Sequence, residues 1–460
     1  MKRYFIIPAL LIFLTNLTAQ VDTLFFEEYI QMVLDNHPLS IQADLLTERS
    51  DAYQKKARGN LDPTLYADFD RKHFKDINYY TEGNVALKYQ TAKAVKFAIG
   101  YERNAGDFLN NDLTLPERGL MYGSVHVPLL NGLFFDETRY ALKEAELINI
   151  KNELDRKVIL NDLTFEAKIA YINWYMSARQ MKINQKYLRF SLENHSSIAE
   201  LYRNGYSPAM DTLESFTNMK GIENKYLKSK INYTKAIQRV QYYMWDKQQI
   251  PLFLKANIIP QSSKLVSRLE KDIMFNVESI SMIPNIQKID LELNFIELDE
   301  KLLNESVKPI LDLGFYSLLN LGSQQGPLKY GLDDYKLNLS FYYPLLNRKN
   351  KGELELNAIN KEQVEFEKIA KSRDIELKLI AASESYYLSV DRNNLVLNNI
   401  EQLNNLYLLE KEKFNLGEGT VYFLFKRLEA VIKSELDQIE IEASVYMNRE
   451  KINYFLFLKS

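Results

Sequence analysis

Between Pro309 and Pro344 apolar side chains fall on alternate positions: Leu311, Leu313, Phe315 and Leu319, then Tyr335, Leu337, Leu339, Phe341 and Tyr343. Asp312, Gly314, Lys336, Asn338 and Ser340 interleave them. A period of two predicts strands with one apolar and one polar face. The segment GSQQGPLKYGLDD between them has the glycine and proline of a turn. Earlier in the chain Leu65, Ala67 and Phe69 alternate with Tyr66, Asp68 and Asp70, and Met121, Val125 and Val127 alternate with Tyr122, Ser124 and His126. Between these two stands a further hairpin, Val85, Leu87 and Tyr89 followed by Val95, Phe97, Ile99 and Tyr101, joined through Thr91 to Ala94. A soluble sandwich alternates in the same way, so alternation alone does not settle the solvent these faces meet.

A second texture follows each set of strands. Residues 133–204 form a run of 72 without glycine or proline, and residues 353–416 another of 64. Leu163, Ala167, Ala170, Trp174, Ala178 and Met181 recur every three or four positions, as do Ile375, Leu379, Ala382, Tyr386 and Val390. That spacing keeps side chains on one face of a helix and suits a coiled-coil seam. A helix of about 67 residues at ~1.5 Å each is about 100 Å long, far beyond the globular average. Gly205 with Ser207-Pro208, and Gly417 with Gly419-Thr420, predict a stop and a restart. Helical sequence then returns over about 209–250 and 421–459.

The two textures occur twice on one plan. Pro38 and Pro63 stand 25 residues apart, and so do Pro284 and Pro309. The tetrapeptide PLLN recurs at Pro128–Asn131 and Pro344–Asn347. A constant offset of 212 pairs Leu163 with Ile375, Trp174 with Tyr386 and Gly205 with Gly417. Order and spacing kept through so many landmarks predict an internal duplication, roughly 20–250 and 262–460, with about thirty extra residues before the first PLLN. Two copies of this length are too few and too long for a small-repeat solenoid. The expected segments are a signal peptide over 1–19, leading helices over 20–62, strands over 63–128, a helical hairpin over 129–250, a linker and leading helices over 251–308, strands over 309–344 and a second hairpin over 345–460.

Composition narrows the classes. With 58 basic and 61 acidic residues in 460 there is no basic footprint for nucleic acid. Sixteen glycines and twelve prolines are few, in keeping with long uninterrupted elements. Lys2 and Arg3, an apolar stretch from Phe5 to Leu14 and a small residue at Ala19 read as a secretory signal, cleaved near Ala19 or Gln20. The stretch is shorter than the ~20 residues of a spanning helix. The chain has no cysteine, which removes disulfides, thiolate metal sites and a cysteine nucleophile. Four histidines, at 37, 73, 126 and 195, have no second ligand at helical or turn spacing. The GEGTVY segment has only two of the glycines of a dinucleotide loop and no strand before it. No cofactor and no catalytic constellation is expected.

Several stretches together carry a resemblance: TLFFEEYIQMVLDNHPLSIQAD, KKARGNLDPTLYADF, VPLLNG and RNGYSPAMDTLES in the first half, IPNIQ, KPILDLGF, YPLLN and FNLGEGTVYFLF in the second. Each is weak alone. Their order, doubled over nearly the whole chain, resembles the TolC-type outer-membrane efflux proteins, the outer-membrane factors of tripartite pumps and type I secretion. The resemblance implies an α+β membrane protein. Strands of three protomers would close one β-barrel in outer-membrane lipid, mounted on long coiled-coil hairpins that cross the periplasm. It implies a homotrimer, a periplasmic adaptor and an inner-membrane proton-driven or ATP-driven pump as partners, with drugs, metals or secreted proteins as cargo. The family pattern is four strands per protomer, whereas six are expected here. A different class, a periplasmic adaptor or coiled-coil scaffold, would carry one hairpin flanked by compact β-domains.

By the same resemblance the tips dock the adaptor and close the tunnel. The docking candidates are Arg203, Gly205, Tyr206, Ser207 and Asp211 in the first copy, and Gly417, Gly419, Thr420, Val421 and Tyr422 in the second. The glycines have a plainer reading as residues that permit a tight reversal. Members of the family place acidic residues just after the second tip, where this chain has Phe423 and Lys426. Asp211, Glu214, Phe423 and Lys426 are therefore the constriction candidates, with Phe423 narrowing the end by apolar packing and Asp211 pairing a tip cation such as Arg203.

Overall fold

The computed structural model of the chain describes residues 23–254, 258–261, 280–321 and 334–458. The signal-peptide reading and most of the GSQQGPLKYGLDD turn lie outside these residues. In chain order the elements are β1 (Thr23–Phe25), α1 (Phe26–Asn36), α2 (Pro38–Arg58), β2 (Thr64–Phe74), β3 (Ile77–Gln90), β4 (Lys96–Ala105), β5 (Leu120–Pro128), α3 (Glu137–Arg203), α4 (Ala209–Tyr242), β6 (Ile259–Gln261), α5 (Pro284–Ser306), β7 (Ile310–Asn320), β8 (Tyr335–Tyr342), α6 (Arg348–Asn415) and α7 (Val421–Leu456). The paired prolines mark equal places. Pro38 and Pro284 open α2 and α5, where a missing N–H costs nothing. Pro63 and Pro309 stand one residue before β2 and β7.

The chain divides into two compact units. One gathers residues 42–160 and 274–378. It holds a six-stranded antiparallel sheet in the order β2-β3-β4-β5-β7-β8. The register keeps the odd positions together across all six strands. Leu65 opposes Leu87, Leu87 opposes Ile99, Phe97 opposes Val125, Val125 opposes Phe315 and Phe315 opposes Leu337. The result is one continuous apolar face, and most of its large side chains are exposed in the single chain, with Val125, Leu311 and Leu313 partly covered. The even positions make a polar face with Asp68, Asn84, Lys88, Glu102, Asp312 and Lys336. The expected extra hairpin is β3–β4, and it lies inside the sheet.

Below the sheet in sequence terms, the same unit packs α2, α5 and the first parts of α3 and α6. Ile286, Ile289, Leu291, Ile296 and Leu298 of α5 are buried. Polar contacts fix the sliding of the helices: Asn152 donates to the Ser50 hydroxyl at 2.9 Å, the Tyr140 hydroxyl donates to Asp299 at 2.6 Å, and Asn357 donates to the Ile296 carbonyl at 3.2 Å. The two PLLN corners are built differently. After Pro128 eight residues intervene before α3, and Arg139 ties them down by donating to the Gly132, Leu133 and Phe134 carbonyls and to Asp136. After Pro344 the chain turns at once, because Asn347 takes a left-handed φ of 45° and its side-chain amide donates to the Val307 carbonyl at 3.0 Å. Asparagine tolerates that conformation better than most residues.

The other unit gathers residues up to 41, 161–273 and 379 onward. Its core surrounds Trp174 and Tyr171 of α3 with Phe26, Tyr29 and Val33 of α1, Val240 of α4, and Ala443 and Tyr446 of α7. The Tyr171 hydroxyl donates to the Leu24 carbonyl at 2.6 Å and accepts from the Gln261 N–H at 3.1 Å, clamping the short parallel pair of β1 with β6. His37 closes α1 and accepts the Leu39 N–H at 3.2 Å, and burial holds its imidazole below the usual value. The seam positions are buried in both long helices: Leu163, Ala167, Ala170 and Trp174 in α3, Ile375, Leu379, Ala382 and Tyr386 in α6.

Helix α6 starts at Arg348, directly after the PLLN corner, and takes in Gly352. One element bound differs from the sequence reading. Helix α4 ends at Tyr242, short of 250. There the Asp246 carboxylate accepts the N–H groups of Gln248 and Ile250, each at 2.8 Å. A side chain that bonds its own downstream backbone competes with helix, and the turn wins.

Candidate functional site

The helical hairpins reverse at residues 204–208 and 416–420, both in the second unit. The two reversals share a pair of main-chain bonds, and the second adds one from the Gly419 N–H to the Lys413 carbonyl at 3.1 Å. At the first, the Gly205 N–H donates to the Tyr202 carbonyl at 3.0 Å and the Tyr206 N–H to the Leu201 carbonyl at 2.8 Å. At the second, Gly417 donates to Phe414 at 3.0 Å and Glu418 to Lys413 at 3.0 Å. This is a Schellman ending, which satisfies the last carbonyls of the helix through one left-handed residue. Gly205 has a φ of 78° and Gly417 one of 79°. A side chain at either would meet no neighbour within 4 Å, so the left-handed backbone alone requires glycine.

The tips then diverge. In the first, Pro208 is the residue before α4, and the Ser207 hydroxyl donates to the Asp211 carboxylate at 2.8 Å. An anion in the first turn of a helix is favoured by the exposed N–H groups there. The expected pairing of Asp211 with Arg203 is not made within the chain. Arg203 ends α3 and forms no ion pair among the described residues. In the second tip Gly419 approaches closely: a Cβ there would lie 2.8 Å from the Phe414 nitrogen. Thr420 caps α7 by accepting the Phe423 N–H at 3.4 Å.

Most docking candidates face outward, with Tyr206 81% exposed and Tyr422 also open. Val421 does not: it is fully buried in a cluster with Tyr187 and Ile198 of α3, Ile222 of α4, and Phe425, Leu428 and Ile432 of α7. This cluster locks the two tips to each other. Lys225 of α4 pairs with Glu429 of α7 at 3.3 Å, and Lys186 of α3 with Glu435 of α7 at 3.7 Å, around its edge. Between the starts of α4 and α7 lies a groove of about 570 Å³ lined by Met210, Leu213, Glu214, Tyr422, Phe425 and Lys426. Three constriction candidates are thus brought together here. Glu214 and Lys426 line the groove, and Phe423 stacks edge-on against Tyr422 with ring centroids 5.4 Å apart. The Lys426 ammonium donates to the Tyr422 hydroxyl at 3.1 Å.

The sequence reading missed Met210 and Leu213, two exposed apolar side chains one turn into α4. Apolar residues with no buried partner at the start of a helix were the available signal. It also missed a buried charge cluster where Lys168 of α3 meets Glu450 of α7 at 2.9 Å, with Arg449 on the other carboxylate oxygen at 2.9 Å. Burial alone would raise the Glu450 carboxyl. The Lys168 and Arg449 charges outweigh it and hold the group below its ordinary value. Among the described residues no group of three or more His, Asp or Glu side chains is placed to hold a metal ion, and no helix is long and apolar enough to cross a membrane.

No protein-family model matches the sequence, and no curated protein sequence does. Solved structures do match. An open state of the Neisseria gonorrhoeae MtrE outer membrane channel superposes with a TM-score of 0.68 at 13% identity, over 94% of this chain and 88% of that one. The Campylobacter jejuni CmeC outer membrane channel gives 0.67 at 11%, over 94% and 85%. The Vibrio cholerae outer membrane protein VceC gives 0.65 at 11%, over 95% and 96%. The chain therefore has the fold of these outer-membrane channels, the fold that the resemblance to TolC-type proteins implies.

Proposed function

We propose that this protein is the outer-membrane channel of a tripartite efflux or secretion system. Three copies form a barrel in the outer membrane and a helical tunnel in the periplasm, through which substrates delivered by an inner-membrane pump and a periplasmic adaptor pass passively to the exterior. The observation that carries the reading is the six-stranded sheet. Its apolar face is exposed, and β2 and β8 each have an unpaired edge among the described residues. In lipid an open edge leaves backbone groups without partners, so strands must close a barrel. MtrE and CmeC are described as outer membrane channels, and both match along nearly the whole chain.

Helix α6 supports the trimer independently. Leu356, Ile359, Phe366, Ile369, Leu377, Ile380, Leu388, Leu395, Leu406 and Leu409 are all exposed. At 100° per residue these ten fall within a sector about 140° wide, and only Leu397 and Leu408 of the exposed leucines in α6 lie outside it. The buried residues of the same helix, from Val364 to Tyr386, lie on the opposite side. A helix with two apolar faces needs two partners, and the chain supplies one. The adaptor reading explains neither the second face nor the sheet.

At the tips, exposed Tyr206, Met210, Leu213 and Tyr422 meet the adaptor, and Phe423 narrows the closed end. The deciding experiment separates outer-membrane fractions without heating: a detergent-resistant trimer is expected, and a soluble monomer refutes the proposal. Phe423→Ala should raise single-channel conductance in planar bilayers, and an unchanged value would remove Phe423 from the constriction.

A further inference from the structure

The place of β3 and β4 in the sheet has a consequence for the barrel. Two extra strands were expected from the sequence, but they had two possible homes: within the wall, or beside it with β2 bonded directly to β5. The hydrogen-bonded order puts both inside, with β3 on β2 and β4 on β5. Their faces agree with the wall on each side. Val85, Leu87, Phe97, Ile99 and Tyr101 continue the apolar face. On the same face Arg71 opposes Thr81 and Arg103 opposes Gly83 toward the far ends of their strands, and long cations of this kind can keep their stems on apolar surface while the charge reaches water.

The polar face is stitched across the added hairpin. The Lys88 ammonium of β3 sits 3.9 Å from the centre of the Tyr66 ring on β2. Tyr122 of β5 lies over Gly100 of β4, where a Cβ would come within 2.4 Å of its ring, and reaches Asn84 of β3 at 3.3 Å. Only a residue without a side chain at 100 lets β5 touch β3 across β4. The hairpin is thus built into the wall on both faces.

We propose that three copies close an 18-stranded barrel, with β2 of one copy joined antiparallel to β8 of the next. This rests on the trimeric-channel reading above. Direction and face both permit the joint. Six strands alternating up and down leave β2 and β8 antiparallel, so a rotation about the threefold axis brings unlike directions together with no parallel seam. Leu65, Ala67 and Phe69 meet Leu337, Leu339 and Phe341 on the lipid side, while Asp68 and Asp70 meet Lys336, Asn338 and Ser340 on the inner side. Barrel diameter grows roughly in proportion to strand number, so this wall is about one and a half times as wide as a 12-stranded one and leaves an aqueous lumen. The outer mouth then does not select cargo, and selection falls to the tips.

The absence of cysteine makes the joint directly testable. With the helix-side strand ends level, Asp68 faces Asn338 of the neighbour. Asp68→Cys is combined in turn with Lys336→Cys, Asn338→Cys and Ser340→Cys in the full chain, oxidised in outer membranes and run boiled without reductant. Opposed strand residues are within disulfide reach. Within one chain the two strands are separated by four others, so only neighbouring copies link. The expected result is a covalent trimer in one of the three combinations, returned to monomer by reductant. A heat-labile trimer with no link in any combination overturns the joint and leaves the channel reading standing, whereas a monomer before heating overturns both. Asp68→Cys with Ser124→Cys tests the narrower wall: an intrachain link there would mean β2 bonds β5 and the hairpin lies outside.

Discussion

Helices α3 and α6 carry the same spacing of apolar positions and are nearly equal in length, and they solve the burial problem in opposite ways. Helix α3 places its seam of Leu163, Ala167, Ala170, Tyr171 and Trp174 inside the chain, covered by α1, α4 and α7. Helix α6 buries one apolar face and leaves a second open along most of its length. The leading segment explains part of the difference. Phe26, Tyr29 and Val33 of α1 pack on α3. Two helices of one pattern need not share one job: α3 fills the protomer core, whereas α6 keeps an apolar face that the proposed trimer would cover.

Substitutions on the two helices should therefore fail differently. The largest effect is expected from Trp174→Ala, which leaves a large cavity in the α3 core and should cost about 3–5 kcal/mol of folding stability. Denaturant melting of the detergent-solubilised protein reads it. Lys168→Met should cost about 3 kcal/mol by stripping the buried Glu450 of one of its two cations. Glu450 has a depressed carboxyl, so its contribution is complete above the ordinary carboxylate value and is lost as pH falls through the lower folded one. Wild-type stability should thus decline in acid more steeply than that of Lys168→Met. Equal slopes would exclude the cluster as the source.

On α6 the double change Leu388→Asp with Leu395→Asp should leave the circular dichroism of the chain intact and abolish the unheated trimer band. If it unfolds the chain instead, the contrast between the helices fails. The smallest effects belong at the tips. Gly205→Ala and Gly417→Ala each force a side chain into a left-handed backbone and should cost about 1 kcal/mol, equally in the two copies. Unequal values from differential melting would show that the tips are less alike than their hydrogen bonds.

Much of this contrast was legible in residue spacing. The second proline of each pair gave the starts of β2 and β7, whereas the first prolines open α2 and α5, which their spacing did not foretell. The glycine-free runs gave α3 and α6, and Gly205 with Gly417 gave the reversals. Alternation also located the six strands of the large sheet, though not the three-residue β1 and β6, because a half-buried strand repeats every two residues wherever it stands in the chain. What spacing does not carry is partnership. It shows that Val421 is apolar but not that it is fully buried, and it does not set Lys168 beside Glu450, 282 residues away. The end of α4 was misread for a related reason: Asp246 competes for the backbone through a hydrogen bond that no periodicity records.

The Schellman endings at the two tips have one more consequence. Each reversal is held by main-chain bonds and a glycine, so the exposed side chains around it are almost irrelevant to whether the loop forms. Tyr206, Met210, Leu213 and Tyr422 are in effect an exchangeable cassette on a fixed bracket. A lineage could therefore rewrite the cassette one residue at a time without passing through a misfolded ancestor.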